Sequence, residues 1–169
     1  AALAAQGRHL QEHEMANLLI TLQQSFLTIF AGLPGTGKTS LARLIADAQN
    51  ISPRLREVAV SRGWTSQKDL IGYYNPLTSR FQPAGTGMYS FLKAIGNETG
   101  ADHAMAYILL DEANLSPIEH YWSAFMGLTD HDGDRKITLG DEMVHIPDNL
   151  RFIATLNYDG TTEPLSARL

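Results

Sequence analysis

The chain has 169 residues, 44% of them hydrophobic, with 13 Lys and Arg against 18 Asp and Glu for a formal net charge of -5. That length suits one hydrophobic core rather than two, and the acidic balance supplies no global cationic field, so any nucleic-acid contact must come from a local patch or a neighbouring subunit. The lack of cysteine excludes a disulfide framework and thiolate metal sites and fits a reducing compartment.

No apolar run reaches the roughly 18 residues of a membrane helix. Nor does a charged segment with an apolar core and cleavage site open the chain, so a cytoplasmic protein without membrane contact is expected. The start at Ala1 and the stop at Leu169 read as those of a trimmed piece.

His9 to Gln24 sets Leu10, Leu18, Leu19 and Leu22 among polar residues, the spacing of an amphipathic helix. A first strand follows at Phe26 to Phe30. Then comes Gly32-Leu33-Pro34-Gly35-Thr36-Gly37-Lys38-Thr39-Ser40, whose spacing is G-x-x-x-x-G-K-[ST]. Three glycines let the backbone curl until successive N–H groups face an anion, and a phosphate chain is the natural guest. Lys38 is placed to reach the outer phosphates, and the Thr39 hydroxyl to ligate Mg²⁺. The helical spacing of Leu41 to Ala46 completes a strand, loop and helix N-terminus. That helix is expected over Lys38 to Gln49, ending at Asn50 to Pro53, with a second strand at Arg56 to Ser61.

From Arg62 to Gly87 glycines and prolines alternate with Trp64, Tyr73, Tyr74 and Phe81, an irregular stretch of a length that is more often functional than idle. Arg62, Lys68 and Arg80 lie among these aromatics, as on a surface that grips nucleic acid by charge and stacking. Three basic residues make a thin footprint, which favours aromatics folded onto the core with the charges solvated. Met88 to Asn97 is predicted helical.

Met105 to Glu112 is an almost wholly apolar strand with two carboxylates at its C-terminal end, the pattern of a buried parallel strand delivering acids to a site. Asp111 can hold Mg²⁺ and Glu112 can polarise an attacking water. Ser116-Pro117-Ile118-Glu119 predicts a capping box opening a helix through Tyr121, Trp122, Phe125, Met126 and Leu128. His120 and His131 lack a metal-binding spacing, and Asp130, Asp132 and Asp134 lack the closing Glu of a calcium loop. Lys136 to Leu139 and Glu142 to Ile146 predict a hairpin closed by Gly140-Asp141 as a II′ turn. Leu150 to Leu156 makes another buried strand with Asn157 at its tip, where an amide can hold the attacking water or a γ-phosphate oxygen. Asp159 to Leu169 is a polar loop containing Arg168.

Gly32 to Thr39, Leu109-Leu110-Asp111-Glu112 and Ala154-Thr155-Leu156-Asn157 resemble the Walker A, Walker B and sensor-1 motifs of AAA+ ATPases, in the same order. The Asp69 to Tyr74 stretch and the hairpin before Asn157 resemble the helix-2 insert and pre-sensor-1 hairpin of the MoxR, McrB and dynein-related branch. Leu156-Asn157-Tyr158-Asp159 is similar to the Met-Asn-x-x-Asp signature of McrB-type motors, with Leu for Met and the Asp one place early.

The resemblance implies an α/β P-loop NTPase: a three-layer sandwich on a parallel sheet of order 2-3-4-1, the usual fifth strand missing, with inserted hairpins. Residues 1–169 would then be the large nucleotide-binding subdomain, without the helical lid. It implies a ring, commonly a hexamer, that couples hydrolysis of ATP, or of GTP in the McrB-like case, to remodelling of DNA or protein. Arg168 falls where the family places a finger on the neighbouring subunit's γ-phosphate. Two other classes also use such a loop. A P-loop kinase would need an acceptor pocket and an arginine-rich lid, and a nucleotide-switched binding module would not need Glu112.

Overall fold

The computed structural model describes residues 11–98, 104–128 and 135–158. Four parallel strands form the central sheet: β1 (Leu27–Gly32), β2 (Leu55–Ala59), β5 (Ala106–Asp111) and β8 (Leu150–Asn157). Their spatial order is β1-β8-β5-β2, which is the expected 2-3-4-1 when only these strands are numbered, and β1 is an edge among the described residues. Two antiparallel pairs are appended, β3 (Gly72–Asn75) with β4 (Arg80–Pro83) and β6 (Lys136–Leu139) with β7 (Glu142–His145).

The period of two along β5 builds the layers. Tyr107 and Leu109 point into a cluster with Leu22 of α1 (Glu12–Gln24) and with Ala42, Ile45 and Ala46 of α2 (Lys38–Ala48). Ile108 and Leu110 point the other way, onto Met88, Leu92 and Ile95 of α4 (Met88–Gly96) and a block of aromatics. With Ala106 to Leu110 fully buried, β5 is covered on both faces, as a parallel strand must be. Phe152 of β8 anchors the second face, its ring centroid 4.7 Å from Phe125, 5.3 Å from Phe26 and 5.4 Å from Trp122. Truncating such a ring leaves a cavity that destabilises by about 3–5 kcal/mol.

The stretch after β2 is more ordered than its composition predicts. It holds a one-turn helix, α3 (Gln67–Leu70), and the β3–β4 hairpin. Asp69 accepts from the backbone N–H groups of Thr65 and Ser66 and so caps α3. Trp64 packs edge-on against Tyr121 at 5.3 Å and Phe81 stacks on Tyr89 of α4 at 4.7 Å. Tyr73 stays half exposed, and Arg62, Lys68 and Arg80 face solvent.

The capping box predicted at Ser116 does not form, and the helix after it is not continuous. The Ser116 hydroxyl donates to Ser61 O (2.9 Å) and accepts from Trp64 N–H (3.0 Å), satisfying the buried entry to the insert instead of a helix end. The helix breaks at Trp122 into α5 (Ile118–Tyr121) and α6 (Ser123–Met126). There the backbone tightens to i+3 bonds, Phe125 to Trp122 and Leu128 to Phe125. This puts Tyr121, Trp122 and Phe125 all into the core.

The predicted β6–β7 hairpin forms, and of its two turn residues only Gly140 has positive φ, at 67°. Its strand β7 lies against α4, where a side chain at Gly96 would strike the His145 carbonyl. The acidic stretch 130–134, His131 and Arg168 lie outside the described residues.

Candidate active site

The site is built where β1, β5 and β8 end side by side. Gly32 closes β1 in register with Asn157 of β8, and the chain then turns through the glycine loop into α2. Gly35 (φ 78°) and Gly37 (φ 77°, ψ 31°) occupy the left-handed region that a side chain disfavours. Gly37 is the N-cap of α2, so the first-turn N–H groups, which have no carbonyl acceptor within the helix, and the positive end of the helix dipole face the loop. Lys38 Nζ folds over this loop and donates to Gly32 O (3.0 Å) and Leu33 O (2.8 Å). Thr36 Oγ1 also donates to Leu33 O (2.9 Å). Leu33 is exposed and Ser40 lies on the outer side of α2.

Asp111 is the hub. Its Oδ1 accepts from Thr39 Oγ1 and from Thr155 Oγ1, each at 2.6 Å. Because the Thr39 proton is directed at Asp111, the lone pairs of its hydroxyl are left for a cation. Thr155, only 2% exposed, accepts in turn from the Glu112 backbone N–H at 2.9 Å. One hydroxyl thus ties β8 to both acidic residues.

Glu112 leaves the sheet in a left-handed conformation, φ 54° and ψ 45°. For a residue with a Cβ this strain costs about 1–2 kcal/mol and persists only where the surroundings hold it. Asn157 Nδ2 donates to Glu112 Oε1 at 3.0 Å. Asn157 is itself gripped through its backbone by Asn114: the Asn114 Nδ2 group donates to Asn157 O (3.0 Å), and Asn157 N–H donates to Asn114 Oδ1 (3.3 Å). On α2, Arg43 makes a two-point pair with Glu57 (2.8 and 2.6 Å). Glu57 chiefly, and Asp111 to a lesser degree, hold that guanidinium's pKa above its ordinary value.

Lys38, Thr39, Asp111, Glu112 and Asn157 therefore share one locality. Thr39 and Asp111 present hard oxygen donors, suited to Mg²⁺ that takes the rest of its shell from phosphate and water. Among the described residues no group of three or more His, Asp or Glu could by itself hold a metal. Two members were missed from the sequence. Thr155 carried a signal, as the polar residue within the otherwise apolar Phe152 to Leu156, whereas Asn114 carried none, because its partner lies 43 residues away.

No curated protein matches the chain. A crystal structure of a candidate ATPase from Cytophaga hutchinsonii ATCC 33406 superposes with a TM-score of 0.51 at 23% identity, a likeness of fold. The match covers 92% of this chain and 42% of that one, so this chain spans less than half of that protein. A family model, the AAA domain of the dynein-related subfamily, matches residues 28–169. With the parallel sheet, the glycine loop and the paired acids in place, the chain belongs to the dynein-related subfamily of AAA domains, a family of nucleotide-binding ATPases.

Proposed function

We propose that this chain is the large nucleotide-binding subdomain of a ring-forming motor that hydrolyses ATP to ADP and phosphate and uses the cycle to remodel or translocate along a partner, DNA in the McrB-like form of this reading. The Asp111 cluster carries it: two threonine hydroxyls converge on one carboxylate oxygen, beside a glutamate held by an amide. A small-molecule kinase has no need of that glutamate.

In this reading the loop from Gly32 to Ser40, through its backbone N–H groups (Pro34 has none), and the Lys38 ammonium bind the phosphates. Thr39 and Asp111 would hold Mg²⁺, which supplies neutralisation of phosphate charge. Glu112 accepts a proton from the attacking water, and Asn157 directs its amide to that water or to the γ-phosphate. Arg168 acts on the neighbouring subunit's phosphate, which makes turnover depend on assembly.

The test is product analysis on the intact protein with ATP and GTP, with and without duplex DNA. Lys38→Ala is expected to abolish nucleotide binding. Glu112→Gln is expected to retain binding and lose turnover by about 100-fold or more. A phosphorylated acceptor in place of free phosphate, or undiminished turnover in Glu112→Gln, refutes the proposal.

A further inference from the structure

We infer that Asn114 is a positioning residue for hydrolysis: its side-chain amide replaces the strand that β8 lacks at its tip and so sets where the Asn157 amide points. The inference rests on the function proposed above and adds a residue to it.

The argument starts from the sheet. β5 and β8 pair residue by residue from Ala106 opposite Leu150 to Leu110 opposite Ala154. Beyond that, Glu112 turns left-handed and β5 departs, while β8 runs on to Asn157. On its other side β8 remains paired with β1, where the N–H of Tyr158 donates to Gly32 O at 2.9 Å. Successive residues of a parallel strand bond to opposite neighbours. The N–H and C=O of Asn157 therefore face the vacated β5 side, where a bare strand end would be free to shift.

Asn114 fills that position. It lies in the one-turn 3₁₀ helix Ala113–Leu115, directly after the strained Glu112. Its amide is both donor and acceptor in one plane, and the Asn157 backbone takes both ends, at 3.0 and 3.3 Å. A carboxylate lacks the donor and an aliphatic side chain lacks both. The turn carrying Asn114 is thereby tied to the strand tip whose side chain holds Glu112 at 3.0 Å. Asn114, Asn157 and Glu112 form a closed ring through one turn of backbone, and a shift in any one displaces the others.

Misplacing a reacting group by about 1 Å costs on the order of 100-fold in rate. In the intact protein, Asn114→Ala and Asn114→Asp are expected to lower kcat for nucleotide hydrolysis by about 10- to 100-fold, with KM and binding of a fluorescent nucleotide within about threefold of the parent. The double variant Asn114→Ala/Asn157→Ala should be within about twofold of Asn157→Ala alone, because one residue acts through the other. A residue that merely supports the fold would add its loss to that of Asn157. Additive losses, or an unchanged kcat in Asn114→Ala beside a slow Asn157→Ala, overturn the inference and leave the proposed function standing. An unchanged kcat in Asn157→Ala overturns both.

Discussion

Replacing Thr155 by Val tests how the site is held together. The change keeps the shape of the side chain and removes one hydroxyl, which donates to Asp111 at 2.6 Å and accepts from Glu112 N–H at 2.9 Å. A hydrogen bond to a charged group contributes about 1.5–3 kcal/mol, and a backbone donor left without an acceptor costs about 1–3 kcal/mol where water cannot reach it. Asp111 is only half-buried, so water replaces part of the loss, and the expected destabilisation is about 2–4 kcal/mol. For a domain of this size that lowers Tm by roughly 5–15 °C.

Urea and thermal denaturation followed by fluorescence of Trp64 and Trp122 measure it. Thr155→Ser, which keeps the oxygen, should lose no more than about 1 kcal/mol, the value of one buried methyl. If Val and Ser destabilise equally, or if Val is within about 0.5 kcal/mol of the parent, the hydroxyl is not the tie described. Nucleotide turnover should fall in the Val variant alone, because both acids lose their common support.

Gly96→Ala drives a Cβ into the His145 carbonyl, a backbone atom that cannot swing away, and is expected to lower stability by about 1–3 kcal/mol in the same melts. Gly127→Ala, with open space around it and negative φ, is the matched control and should be neutral or slightly stabilising. The Tyr121 hydroxyl, buried and donating to Ala113 O at 2.8 Å, has its pKa raised above the ordinary 10.0, mainly by burial and then by Glu119. Its proton is held more tightly in the folded state, so its contribution is complete below pH 10 and is lost as pH rises further. Urea midpoints measured from pH 8 to pH 11 should therefore fall less steeply above pH 10 in Tyr121→Phe, and an identical slope counts against the assignment.

The loop, the acid pair and Asn157 were legible because each stands where a local pattern breaks: a glycine spacing, carboxylates closing an apolar run, an amide at a strand tip. The parallel order of the sheet came with the family resemblance and matches the strand pairings. What could not be read were groups whose partners are distant. Ser116 looks like a helix cap from its neighbours, yet its hydroxyl bonds Ser61, 55 residues earlier. Asn114 gains its role only when β5 and β8 lie side by side. The break at Trp122 answers to Phe26 and Phe152, rings that no local window contains. The β3–β4 pair was hidden because each strand is four residues long and bounded by proline, too short for an alternation to show.

The left-handed backbone at Glu112 has an evolutionary edge. Glycine at that position relieves the strain and removes the acid in a single step, so the form without the acid, inactive under the function proposed above, is favoured by about 1 kcal/mol on backbone grounds. Selection for thermal robustness alone would drift toward that substitution. Under the proposed function a glutamate there is a running expense met by turnover, and a laboratory screen for hardier variants should discard the acid early unless activity is scored alongside.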